Sequence, residues 1–445
     1  MKGAIAAGHP LTAEAGARVL AEGGNAVDAC IAAAFVAAVA EGPLTGPTGG
    51  GFLMVHEPGS ETAHLLDCFF ATPTRPLGEM EEILIDFGDS GTQTFHVGEG
   101  SVAVPGLVPG LEEAHRRFGS RPWAELVEPA LALAPVGVVR DAPRAVLHEV
   151  LSGILLRTEE GAHVYGNPEA VVTGGFVATL ERIRDVGSDA VTELLPELAD
   201  DLVSYRVLER RPVVAEVLGR HVLATPSPSR GGAVVVDTLT ALASLAEWSL
   251  HEEAKAVGLA YERSSLGPVA GTTHISVVDA TGTAAALSST LGSGSGIFRG
   301  GTQLNNMLGE LDVIGVGEQT PGDRLPSMMT PTMVVEAGKP RLVLGSAGSV
   351  RLAGAIAQVA WLVLQGEHVA EAIDAPRLHV DESTLHLEGG WPDHVAATLP
   401  DSWELVRWGD RNLFFGGVSA VERRPDGSLA AAGDPRRGGA GVVVE

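Results

Sequence analysis

Gly271-Thr272-Thr273-His274-Ile275-Ser276-Val277-Val278-Asp279 is the stretch on which the reading of this 445-residue chain turns. Its apolar residues alternate with polar ones, the period of a strand with two unlike faces. Asp279-Ala280-Thr281-Gly282 reads as a turn, and a second run over 283–290 completes a hairpin. A polar segment with Gly and Pro, 251–271, comes before it. A hydroxyl residue directly after glycine, at the start of a strand, suits a chain that severs itself. The Thr272 hydroxyl can attack the Gly271 carbonyl, and the small Gly271 leaves room for the approach. Cleavage would make Thr272 a new N-terminus, whose α-amino group can act as base for its own hydroxyl. On the residues alone, an ordinary strand with a polar start explains Thr-Thr equally well, because Thr is common in strands.

What separates the two is a pattern that recurs along the chain. Thr-Thr-His-x-Ser-Val-x-Asp, with Gly282 three residues on, resembles the start of the small subunit in the γ-glutamyltranspeptidase family of N-terminal-nucleophile hydrolases. Glu-Gly-Gly-Asn-Ala-Val-Asp-Ala at 22–29 resembles that family's N-terminal signature. Ser101-Val102-Ala103-Val104-Pro105-Gly106, running on to Gly110, matches again. So do the Pro226-Ser227-Pro228-Ser229-Arg230-Gly231-Gly232 loop and Asp434-Pro435-Arg436 near the end.

Composition narrows the partners. A net charge of −26 argues against nucleic acid and anionic membranes, which need a basic surface. Aromatic residues are 4% of a chain that is 45% apolar, so the core must be built of Ala, Val and Leu. Cys30 and Cys68 define neither a disulfide framework nor a metal site, and a reduced, buried pair is expected. The first ten residues lack the apolar length of a secretory signal, and 29–40 is too short to span a bilayer, which takes about 20 residues. The expectation is a cytoplasmic protein.

Helices are expected over 12–22 with Thr12 as N-cap, 27–41, 110–118, 123–134, 142–156, 176–186, 189–203, 233–245, 252–261 and 350–364. Strand pairs are expected at 52–56 with 63–68, and at 332–336 with 341–344. The glycines of 46–51 read as a close-packed turn, Gly292 to Gly296 as a mobile loop, and 312–324 as loop. Strand pairs and helix pairs alternate in blocks, which favours an α+β layered sandwich over a parallel sheet. The resemblance implies the four-layer αββα sandwich of N-terminal-nucleophile hydrolases, one domain over 1–445. Cleavage would divide it into a large subunit, 1–271, and a small subunit, 272–445.

The resemblance also assigns roles. Thr272 would be the nucleophile, and Thr290 would touch and place it. Gly348 and Ser349, where the family has two glycines, would offer backbone N–H groups to the oxyanion from the start of the next helix. His274 is expected to point away from the Thr272 side chain and receives no catalytic role. Asp279 is expected to be structural, as a turn-starting residue. In the substrate-binding positions the chain departs from the family. The arginine that clamps the substrate's α-carboxylate is replaced by Phe69, which removes a bidentate contact. An asparagine becomes Gly292, a glutamine becomes Met307, and the aspartate that receives the α-amino group becomes Glu310. Of two serines, Pro326 and Ser327 hold the positions.

The expected function is therefore a self-processing threonine hydrolase. It would cleave an amide-type or activated carbon–carbon bond of a small molecule through an acyl-enzyme on Thr272, with a substrate shell altered from γ-glutamyl compounds. No metal or organic cofactor is implied, and a homo-oligomer is neither required nor excluded. Two alternatives stay open: an ordinary γ-glutamyltransferase or glutathione hydrolase, with Arg230 restoring recognition, and an uncleaved relative without activity.

Overall fold

The computed structural model describes residues 2–86, 92–264, 271–315, 319–348, 351–381, 383–397, 399 and 403–445. In chain order, the elements that frame the site begin with β1 (Gly3–Ala7), α1 (Pro10–Ala21), α2 (Ala26–Ala40), β2 (Gly50–His56) and β3 (His64–Cys68). Next come β4 (Leu208–Arg210), β5 (Val213–Val217), β6 (Arg220–Ala224), α3 (Gly231–Ala243) and α4 (Leu250–Ser264). After Gly271 follow β7 (Thr273–Asp279), β8 (Ala284–Thr290), β9 (Thr332–Glu336), β10 (Lys339–Ala347), α5 (Leu352–Leu364), β11 (Gly417–Arg423), β12 (Leu429–Gly433) and β13 (Ala440–Val444).

Two antiparallel sheets carry the fold. One runs β13-β1-β7-β8-β2-β3-β4 and the other β12-β11-β10-β9-β6-β5. Strands from before and after Gly271 share both sheets. β1 lies between β13 and β7, with Ala7 opposite Ile275 and Ala440. Alternation gives each sheet two apolar faces. Ile5, Leu53, Val55, Ile275, Val277 and Leu287 pack outward against α1 and α2. Phe52, Met54, Val278 and Ala286 pack inward against Val343 and Val421 of the second sheet, whose far side carries α3 and α5. The layers are αββα, as expected.

Local chemistry explains where the helices begin. Asn25 accepts from Val27 N and Asp28 N, at 2.9 and 3.0 Å, and the Asp28 carboxylate accepts in turn from Asn25 N. This capping box starts α2, and every residue of α2 is buried. α1 starts earlier than expected. His9 Nδ1 caps Leu11 N at 2.9 Å, and Thr12 instead donates to Glu41 Oε1 at 2.7 Å. The expected helix at 189–203 breaks into Asp189–Leu194, Pro196–Leu198 and Ala199–Ser204, since Pro196 has no N–H to continue it. The helix at 142–156 divides at Leu151, and a short helix, Leu311–Ile314, interrupts the expected loop after Glu310. Cys30 and Cys68 are buried free thiols.

The Asp434-Pro435-Arg436 motif ties the C-terminal part together. Arg436 meets both oxygens of Glu388 at 2.6 Å, and Asp434 takes Arg377 at 2.6 Å and Val418 N at 3.1 Å. Burial alone would raise the Asp434 pKa, but Arg377 and Arg436 outweigh it and hold the carboxyl below its ordinary range. Removing one partner leaves a buried charge uncompensated. Glu388→Gln is expected to cost about 3–5 kcal/mol, read as a lower urea midpoint.

His274 joins the two sheets, which corrects the expectation for it. Thr273 faces Glu41 on the helix side, so alternation puts His274, and Thr272 with it, on the sheet-to-sheet side. The imidazole lies between Ser288 Oγ at 2.8 Å and Ser276 Oγ at 2.9 Å, and Ser276 donates onward to Ser419 O in the second sheet. With its proton committed to Ser419, Ser276 can only accept from the ring, so Nε2 carries the hydrogen and Nδ1 accepts from Ser288. Burial lowers the pKa to about 3. The unfolded chain therefore binds a proton that the folded one refuses between about pH 6.5 and pH 3. The stability tied to neutral His274 is complete above about pH 6.5 and is lost as pH falls. His274→Gln is expected to flatten the fall in stability over that window, measured as urea midpoint against pH.

Candidate functional site

The register of β7 and β8 sets the geometry. Thr273 pairs with Ser289, so the next positions outward, Thr272 and Thr290, face each other at the end of the hairpin. Thr272 is 3% exposed. With the chain continuous here, the Gly271 carbonyl oxygen accepts a hydrogen bond from Thr290 Oγ1. Gly271 has a φ of 71°, and a Cβ on it would lie 1.9 Å from the Gly292 carbonyl oxygen. Only glycine fits that conformation in that space.

Thr290 Oγ1 is itself fixed, accepting from Gly292 N at 2.8 Å. Beyond it, Ser293 N donates to Glu310 Oε1 at 2.9 Å, the Ser293 hydroxyl donates to the same oxygen, and Asn306 Nδ2 reaches Ser293 Oγ at 3.0 Å. Gly294 N donates to Asn306 Oδ1 at 3.0 Å. The Gly292–Gly296 segment is thus buried and hydrogen-bonded, not the open loop its composition suggests. Its glycines are required by neighbours that fill the Cβ positions: Asn306 at Gly292, Gln303 at Gly294 and Arg157 at Gly296. The residues read from sequence as Gly292, Met307 and Glu310 do converge. A Cβ on Gly292 would lie 3.0 Å from Glu310 Oε1 and 3.2 Å from Met307 Sδ.

Phe69 is 1% exposed, and its ring is taken up by neighbours, stacked on Phe52 at 5.3 Å and edge-on to Phe70 at 4.9 Å. It shares one apolar cluster with Met307, Leu308 and Met328. Ser327 is also buried. Its hydroxyl caps Met329 N at 3.0 Å, and its carbonyl accepts from Arg230 N at 2.8 Å, which brings the 226–232 loop alongside. Gly348 closes β10 with a φ of 127° and packs against Gly416, 3.2 Å from where a Cβ would stand. Ser349, the second residue of that turn, lies outside the described residues.

Several participants were not singled out from the sequence. On the helix side, Glu41 is buried and both its oxygens are engaged, by Thr12 and by Thr273 at 2.5 Å. Burial raises its pKa, an effect that Arg144 and the two hydroxyls oppose. A carboxylate at the end of an all-apolar helix is the signal that a partner must exist, but not which one. Asp279 behaves as read: it accepts from Thr281 N and Thr283 N in the turn, and from Ala26 N at 3.0 Å. Among the described residues no group of three or more His, Cys, Asp or Glu side chains is arranged for a metal ion. Among the described residues, no helix is long and apolar enough to cross a membrane.

Comparison with known proteins bears on the whole chain. It is 28% identical to the acylase ACY 1 proenzyme of Pseudomonas sp. (strain SE83), covering 100% of this chain and 94% of that one. It is 26% identical to the glutathione hydrolase proenzyme of Bacillus subtilis (strain 168), covering 99% and 91%. The fold matches the crystal structure of cephalosporin acylase from Bacillus halodurans with a TM-score of 0.84 at 21% identity, over 100% and 96% of the chains. The family model for gamma-glutamyltranspeptidase matches residues 12–190 and 251–444. With that match and this architecture, the chain belongs to the γ-glutamyltranspeptidase family, as an N-terminal-nucleophile hydrolase.

Proposed function

We propose that this protein cuts itself between Gly271 and Thr272, and that Thr272 then serves as the nucleophile of an amide hydrolase with a substrate shell altered from γ-glutamyl compounds. The observation that carries the first step is the Thr290 hydroxyl donated to the carbonyl of that bond. Attack by Thr272 Oγ forms a C–O bond and places negative charge on the Gly271 oxygen. A donor already in position stabilises the charge without reorganisation. Collapse breaks the C–N bond and leaves an ester, with the proton passing to the Thr272 nitrogen. Water then hydrolyses the ester and frees the Thr272 hydroxyl beside the amine released in the shift. In turnover the same chemistry is applied to a substrate carbonyl. The Thr272 amine carries the proton, the Gly348–Ser349 turn receives the oxyanion, and water resolves the acyl-enzyme.

The acyl side is less polar than a γ-glutamyl site needs. Phe69 supplies no carboxylate clamp, and Met307 and Gly292 offer no side-chain hydrogen bond where the family has amides. A site that no longer pairs the α-amino and α-carboxylate groups gains nothing from them and loses by desolvating them. The name of the acylase relative is consistent with that direction.

Two experiments check these steps. Thr290→Val is expected to slow self-cleavage by about a hundredfold, the usual cost of one oxyanion donor, while Thr290→Ser keeps the donor and most of the rate. Cleavage of Thr290→Val at the wild-type rate would remove the role given to that hydroxyl. Purified, cleaved enzyme is expected to hydrolyse butyryl-4-nitroanilide faster than γ-glutamyl-4-nitroanilide, since the first is the second without its charged groups. The reverse order would return recognition to γ-glutamyl compounds, with Arg230 beside Ser327 as the residue to mutate next.

A further inference from the structure

The proposed acyl shell lies on one side of β7, toward β8: Gly292, Met307 and Glu310 all follow that strand. On the other side, toward β1 and β13, lies a narrow cleft at the end of the strands. Gly8, Thr273, His274, Ala347, Gly417 and Arg437 are among the residues that line it. Arg437 stands at the oxyanion turn. Its Nη2 would be 3.7 Å from a Cβ on Gly348, and its aliphatic stem packs over Gly417. Arg351 lies over the Phe414 ring at 4.0 Å.

These two arginines differ from the others nearby. Arg436 and Arg377 are ion-paired to Glu388 and Asp434, and Arg144 to Asp141. Arg437 bonds to the Leu413 carbonyl at 3.0 Å and Arg351 to the Phe414 carbonyl at 2.7 Å, and among the described residues neither has a carboxylate within ion-pair distance. Arg437 Nε is buried with no hydrogen-bond partner. The charge of Arg437 acts unfavourably on the desolvated Arg351 guanidinium. Burial lowers the pKa of each to about 10; the charge of Arg437 adds to this at Arg351, while Asp434 opposes it at Arg437. The carboxylates that also line the cleft are engaged elsewhere, Glu41 by two threonines and Asp434 by two arginines. An anion at Arg437 would supply the ion-pair partner that this guanidinium lacks among the described residues.

We propose that Arg437, backed by Arg351, binds a carboxylate on the leaving-group half of the substrate. This rests on Thr272 as the reacting centre: the acyl half would then lie toward β8 and the departing amine in the cleft toward β1. The substrate class becomes an amide whose acyl part is weakly polar and whose amine part is acidic. The clamp lost at Phe69 is thus not replaced on the acyl side. A different guanidinium holds a different part of the molecule.

The test uses a product-like amine, so it needs no turnover. 5-Amino-2-nitrobenzoate is 4-nitroaniline with one added carboxylate. Equilibrium dialysis of each against purified wild type is expected to show the carboxylated amine binding at least about tenfold tighter, the range of charge-assisted hydrogen bonds. Arg437→Met is expected to abolish the difference, with Arg437→Lys retaining part of it. Equal binding of the two amines to wild type, or a preference that survives in Arg437→Met, overturns the proposal. A thermal melt of each variant reports loss of fold separately, and Arg437→Lys keeps the test readable if Arg437→Met does not fold. Failure of self-cleavage would contradict the Thr272 reading while leaving the dialysis result to decide the anion site.

Discussion

One pairing governs the site: β7 lies against β8 in a register that sets residue 272 opposite residue 290. From it follow the donor on the Gly271 carbonyl and the need for glycine at 271 and 292. It also explains why the hydroxyls and amides beneath the bond are saturated with partners. A slip of one residue would send Thr272 to the helix side and Thr273 to the site. The register is held from both faces. Glu41 ties down Thr273 on one side, and the His274 clamp with Ser276 and Ser419 ties the same strand to the second sheet on the other. Thr272, the proposed nucleophile, is thereby placed by neighbours whose own positions are fixed, as an acyl-transfer centre would require.

Around this centre the polar and apolar parts are sorted. Beneath the bond runs a buried chain of Thr290, Gly292, Ser293, Glu310 and Asn306, with interlocking donors and acceptors that make it rigid. Beside it, Phe69, Met307 and Met328 are buried in one apolar cluster, with no polar group to offer a charged ligand. The second sheet contributes the Gly348 turn, braced by the 412–416 segment. Successive carbonyls of that segment are held by Arg437, Arg351 and Arg377. The proposed reactive centre and the proposed acyl shell therefore sit on separate structural supports. One can diverge without disturbing the other.

Much of this was legible in the sequence, for physical reasons. Alternation over 273–279 and 284–290 reports two buried faces, and an Asp-x-x-Gly turn between them forces the hairpin. The apolar length of α2 reports burial all round. What escaped depends on contacts far apart in the chain: Glu41 and Thr273 are 232 residues apart, and nothing local in either segment names the other. The misreading of Gly292–Gly296 has the same origin. Glycine composition suggests freedom, whereas here the missing Cβ atoms make room for Asn306, Gln303 and Arg157. His274 was misplaced through parity: residues two apart on a strand share a face. The resemblance to the family pointed to Thr290 and Gly348. The local pattern alone would have left both as ordinary strand ends.

The central claim is that a buried threonine hydroxyl is unmasked by scission of the bond in front of it. Intact mass spectrometry of the purified protein measures this directly. The account predicts two polypeptides with the masses of residues 1–271 and 272–445, and one unbroken species for Thr272→Ala. Catalytically active material in which the wild-type chain remains continuous across 271 and 272 would contradict it.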